Sequence, residues 1–246
     1  MRAVMRALRV VAPLAVLLAL PVDALAWTAP TRVRMVDDAM KLLPPTLRKV
    51  LEKRRKEVLR GMLLPMTAED AAGHRPPWDR GSLDASVEAA TRELVASVGT
   101  SSFDEVAEHF GGLAHYVADA GFPPGAGGSR DEKRYAHFAA FAQTRRERFP
   151  LVFYGHDSQA LARGDLKGFA SEAMERARAE DSTLARAYAA APSWDDPIAF
   201  DDRSVPFALA SLSYSHAVTD IVQAWVAAWS RCHGDLGGTP YRSAAH

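Results

Sequence analysis

Apolar residues recur at every third or fourth position through most of this chain, and strict apolar–polar alternation is almost absent. That period is the mark of amphipathic helices and leaves little that could pair as strands. Alanine, leucine, arginine and glutamate dominate, so the chain is expected to be all-α. Cys232 is the only cysteine among 246 residues, so no intramolecular disulfide can brace the fold. Apolar packing has to carry it. The Cys232-His233 pair reads as a small residue at a helix end rather than a reactive thiol.

The spacing predicts helices over 32–42, 45–62, 82–98, 103–120, 132–146, 165–180, 182–191 and 206–231. Pro44-Pro45 breaks the first from the second. The second places Leu47, Leu51 and Val58 on one side and Lys49, Lys53, Arg54, Arg55, Lys56 and Arg60 elsewhere. With no aromatics interleaved, that basic cluster reads as a solvated face rather than a steering patch for phosphate or a membrane. Ser102-Phe103-Asp104-Glu105 has the form of a capping box and should open the helix ending near Ala120. Gly73–Asp79, Gly121–Arg130 and Ser193–Pro206 read as loops, the last at the surface. The final helix should bury Val218, Val222, Trp225 and Trp229. No internal repeat or linker divides 27–246, which is expected to form one domain.

The first 26 residues have the form of a secretory signal peptide. Arg2, Arg6 and Arg9 give the basic start, Val10–Leu20 the apolar run and Ala24-Leu25-Ala26 the small-residue cleavage signal. The run is too short to span a bilayer, and no transmembrane segment is expected. Cleavage between Ala26 and Trp27 would give a secreted or periplasmic protein with a free amine on Trp27. An N-terminal amine and its own carbonyl can chelate a metal together. Three of the 30 basic and one of the 30 acidic residues leave with the leader, so 27 face 29 in what remains. Nothing in that balance indicates nucleic-acid binding.

His115 and Asp119 lie four apart in the predicted 103–120 helix, roughly opposite the stripe Val106, Phe110, Leu113 and Val117. An imidazole and a carboxylate one turn apart can hold one zinc ion. Gly112, one turn earlier, leaves room for another backbone or a ligand. His216 with Asp220 and Asp70 with His74 repeat the spacing, so spacing alone does not select a site. Tyr154-Gly155-His156-Asp157-Ser158 reads as a turn with a cap, not as a catalytic triad.

Trp27, Gly61-Met62-Leu63-Leu64-Pro65, His74 and His115-Tyr116-Val117-Ala118-Asp119 follow one another in an order that resembles the zinc-dependent phospholipase C family. The fold of that family is shared with zinc single-strand nucleases. The resemblance implies a secreted all-α domain that hydrolyses phospholipid or other phosphodiesters, with transient contact to a membrane surface. It implies zinc ligands at Trp27, His74, His115 and Asp119, with Asp119 as the catalytic carboxylate that orients or bridges and a zinc-activated water as nucleophile. Other family ligands fall at Arg32, Met66, Gly125, Ala139 and Phe141, none of which is a donor of the required kind. The remaining set supports about one zinc, completed by Glu69 or Asp70, and not three. Whether Asp70, His137, His216 or Asp220 replaces a lost ligand stays open. Two outcomes follow: a hydrolase with a reduced site, or an inactive relative that binds a ligand or partner.

Overall fold

A computed structural model describes residues 26–64, 71–126, 131–194 and 199–242. The leader up to Leu25, and Pro65, Met66, Glu69 and Asp70, lie outside these residues. Among the described residues all regular structure is helical, as the periodicity predicts. The order is α1 (Ala29–Met40), α2 (Pro45–Lys53), α3 (Arg55–Met62), two 3-10 turns, α4 (Leu83–Ser97), α5 (Phe103–Ala120) and α6 (Pro123–Ala126). Then come α7 (Glu132–Arg145), α8 (Gln159–Ala162), α9 (Leu166–Ala190) and α10 (Val205–Arg231). No helix among the described residues is long and apolar enough to cross a membrane.

Helix α5 is the axis of the fold. Ser102 Oγ accepts from the Glu105 N–H, and the Glu105 carboxylate accepts from the Ser102 N–H at 2.9 Å, so the capping box forms. Helices α1, α3, α4, α9 and α10 all pack on α5. The face opposite the apolar stripe is therefore not a wet surface: His115 and Asp119 are buried with Phe110, Leu113 and Val117. Two tryptophans grip the same helix through its carbonyls. Trp225 Nε1 donates to Phe110 O at 2.8 Å, and Trp27 Nε1 donates to Ala118 O at 3.1 Å. Both indoles are fully buried, and each has found the acceptor its polar atom needs.

The contact between α3 and α5 is made by glycine. A Cβ on Gly111 would stand 2.0 Å from the Val58 carbonyl oxygen, and one on Gly61 would stand 2.0 Å from that of Glu108. The two backbones touch there, which no side chain permits. A Cβ on Gly112 would meet nothing closer than Leu64 Cδ1 at 3.9 Å, so the close approach depends on Gly111 rather than on space at Gly112.

The first helix lies at 29–40 rather than 32–42, the predicted 121–130 loop holds the short α6, and two longer stretches divide differently. The stretch 45–62 is two helices, because Arg54 leaves helical geometry (φ −116°, ψ 28°) and re-aims α3 onto α5. The stretch 165–191 is one helix, not two. Asp181-Ser182-Thr183 are poor helix formers because their side chains compete for backbone groups. Here Asp181 is instead taken by Arg134 of α7 at 3.2 Å, and Ser182 Oγ donates within the helix to Ala179 O at 2.8 Å. In α10, Val218, Val222 and Trp225 are buried as expected, whereas Trp229 sits at the edge and donates to Asp235 O. Phe200, in the stretch predicted as a surface loop, is buried against Tyr188 and Phe141. The basic face of α2 and α3 carries exposed pairs, Arg48–Glu52, Arg54–Asp104, Arg55–Asp37 and Arg60–Glu108. Such pairs add little stability.

Candidate metal centre

His74, His115 and Asp119 converge, with one donor atom from each within 4.8 Å of the others. The last turns of α5 supply His115 and Asp119. His74 closes the 3-10 turn Ala71–His74, which is anchored to the start of α4 by Ser82 N–H to Ala72 O (2.8 Å) and Leu83 N–H to Arg75 O (3.0 Å). Gly81 makes that closure possible, since a Cβ there would lie 2.0 Å from Arg75 O. Across the centre, His74 Nδ1 is 2.7 Å and His115 Nε2 is 3.5 Å from Asp119 Oδ2.

The other carboxylate oxygen belongs to Arg32. Its Nη2 donates to Asp119 Oδ1, its Nε to Trp27 O at 2.9 Å and its Nη1 to His115 O at 3.3 Å. Arg32 is only 1 % exposed, so this is a buried cation bridging the N-terminal segment, α1 and α5. Trp27 thus stands beside the centre, with its carbonyl engaged by Arg32 and its ring edge-on to Phe122 at 5.0 Å.

Burial drives the His115 imidazole down to about 4 against the pull of Asp119, so it is neutral at pH 7. Burial also opposes ionisation of Asp119, but Arg32, His115 and His74 outweigh it and hold the carboxyl below its ordinary range. Nδ1 of His115 lies 2.9 Å from Met62 O, which fixes the proton on Nδ1 and leaves the Nε2 lone pair facing Asp119 and His74. A ring nitrogen tied to a backbone carbonyl, with the other aimed at a carboxylate and a second imidazole, is the arrangement a metal-ligating histidine needs. The donor set of two imidazoles and one carboxylate suits a divalent ion with an open position. These residues fit such an ion on the Oδ2 side of Asp119.

Sequence reasoning passed over Arg32 as a site residue, although its position carried a signal. It precedes Val36 by four residues and Ala39 by seven, which puts a guanidinium on the buried stripe of α1. A cation there requires a buried anion.

The other candidates lie apart. His137 sits among aromatic rings, with Nδ1 2.7 Å from Tyr188 Oη. His156 faces Pro240 O at 2.8 Å, and Ser158 Oγ accepts from Leu161 N–H as the cap of α8, so Tyr154–Ser158 is a capped turn. Cys232 is half-buried, and burial raises its thiol pKa. His216 and Asp220 border a cleft of about 380 Å³, and a neighbouring cleft of about 630 Å³ carries Arg163, Arg231 and Arg242; neither cleft is lined by a residue of the triad.

Asp220 is buried and bonded to Arg176, not to His216. Burial raises its carboxyl to about 6 despite Arg176. A carboxyl raised on folding takes up its proton in the native state first, so stability rises as pH falls from 7 toward the unfolded value of about 3.9. Wild-type protein should therefore gain about 2 kcal/mol over Asp220→Asn between pH 7 and pH 4.5 in urea unfolding. Parallel pH profiles for the two proteins would contradict it.

No protein-family model matches the sequence, and no curated protein matches it. Solved structures do match in fold. The alpha toxin of Clostridium absonum superposes with a TM-score of 0.62 at 13% identity, over 88% of this chain and 66% of the toxin. The alpha-toxin of an avian strain of Clostridium perfringens gives 0.60 at 11% identity, over 85% of this chain and 65% of the toxin. The chain thus spans about two thirds of the length of these toxins. At such identity the likeness shows an all-α fold shared with these toxins.

Proposed function

We propose that this protein is an exported, metal-dependent phosphodiester hydrolase of the phospholipase C type that works with a single divalent ion, zinc by preference. One observation carries the reading: His74, His115 and Asp119 meet in the interior with the His115 tautomer already set by Met62 O. When bound, the ion supplies a Lewis acid for the phosphoryl oxygen and makes water in its coordination sphere acidic enough to attack near neutral pH.

The chain's own groups do the rest. Neutral His115 offers Nε2 without first losing a proton at pH 7. In the metal-free chain Asp119 Oδ2 holds His74 Nδ1 in place; with an ion bound both atoms would turn to it, while Arg32 keeps Asp119 ionised. With both oxygens engaged, its catalytic part is orientation and charge rather than proton transfer. Removal of the leader at Ala26-Trp27 would place a free amine next to the carbonyl that Arg32 holds. A phospholipid headgroup is the proposed substrate, reached by transient contact with a membrane surface.

Burial favours a second reading. The side chains of His74, His115 and Asp119 are all less than 10 % exposed, which suits a relative that holds a metal or ligand without turnover. Purified mature protein should contain about one zinc per chain and hydrolyse a chromogenic phosphodiester. His115→Ala should lose both. Zinc without hydrolysis in the wild type selects the second reading, and absence of both removes the metal reading altogether.

A further inference from the structure

The buried arginine against Asp119 sets how many ions the centre can take. Asp119 has two oxygens and the structure gives them different neighbours: Oδ2 faces the two imidazoles, while Oδ1 faces Arg32. On the Oδ1 side the available acceptors are Oδ1 itself, Trp27 O and His115 O, and Arg32 bonds all three. A carboxylate and two carbonyls are hard oxygen donors that a divalent cation would otherwise use. A guanidinium presents fixed, planar donors and stays charged at every accessible pH, so it fills such a place permanently.

We propose that Arg32 is a built-in cation that occupies one half of the centre in place of a metal ion, and that it limits this chain to one divalent ion, on the Oδ2 side. The proposal rests on the metal reading above and adds a role for a residue outside the ligand triad. Two consequences follow from charge alone. The single ion is bound against the repulsion of a neighbouring guanidinium, which weakens it. A ligating side chain in place of Arg32 opens the Oδ1 side to a second ion, because Trp27 O and Asp119 Oδ1 are then free to coordinate.

The test is zinc stoichiometry by native mass spectrometry and elemental analysis on the mature chain beginning at Trp27. Circular dichroism of each sample, with and without zinc, confirms folding. Wild type is expected to take one zinc, Arg32→Lys one and Arg32→His two. Arg32→Gln removes the charge and offers only a neutral amide oxygen, a poor ligand for zinc, and it should still take one zinc, bound at least tenfold more tightly in a chelator competition. Arg32→Gln keeps the proposal open to refutation if Arg32→His does not fold. Two or more zinc ions in the wild type would overturn it. So would a folded Arg32→His that stays at one, or an unchanged zinc affinity in Arg32→Gln. A wild type with one zinc and indifferent Arg32 variants defeats only the role of Arg32. Zinc in none of these proteins defeats the metal reading as well.

Discussion

Arg32→Ala is expected to cost the metal-free protein about 3–5 kcal/mol of unfolding free energy, the range seen when one partner of a buried ion pair is removed. Asp119 would be left ionised in the interior, with only His74 and His115 to face it. The Trp27 carbonyl would lose its donor at the same time. Each buried polar group stranded in this way adds to the cost. The loss should show as a lower urea midpoint with an unchanged slope. Zinc should recover part of it by linkage, because the ion replaces the missing positive charge beside Asp119. A loss below about 1 kcal/mol would mean that the pair contributes no more than an exposed one.

Adjacent glycines in α5 should respond in opposite directions. Gly111→Ala drives a methyl group to 2.0 Å from Val58 O and 2.7 Å from Met62 N, against backbone that cannot move aside. Helix α3 has to lift off α5, and the cost is expected to be about 3 kcal/mol or more, at the upper end for overpacking. Met62 O, which holds His115 Nδ1, lies in that same turn, so Gly111→Ala should also weaken zinc binding. Gly112→Ala meets only Leu64 Cδ1 at 3.9 Å. There the better helix former should prevail, with a gain of about 0.5–1 kcal/mol. Thermal unfolding of the two variants side by side checks the pair. Equal effects would contradict the register in which α3 meets α5.

Where a feature was local, the sequence made it legible. The capping box at Ser102–Glu105 and the full length of α5 follow from cap chemistry and a 3.6-residue period, and both appear as expected. The Pro44-Pro45 break and the start of α10 near Pro206 follow from the missing N–H of proline. Helix surroundings were not local. The His115–Asp119 face looked polar beside an apolar stripe, and only the elements packed around α5 make it interior. The same reason explains α9: Asp181 reads as a breaker until Arg134 of α7 removes it from the backbone competition.

The site divides in the same way. His115 and Asp119 share one helix and could be paired by spacing, whereas His74 comes from a turn 45 residues before Asp119 and was placed by resemblance. In the sequence Arg32 stands only as a position that lacks the family's donor. Its bonds to Trp27 O, His115 O and Asp119 show a new cation in the same neighbourhood, which no count of absent ligands can reveal.

The central claim is that one divalent ion and one guanidinium share the two oxygens of Asp119. Anomalous diffraction at the zinc edge, on crystals of the mature protein grown with excess zinc, tests it most directly. The account predicts a single interior peak within bonding distance of His74 Nδ1, His115 Nε2 and Asp119 Oδ2, with Arg32 still on Oδ1. An interior without a peak, or a peak that has displaced Arg32 from Asp119, would contradict it.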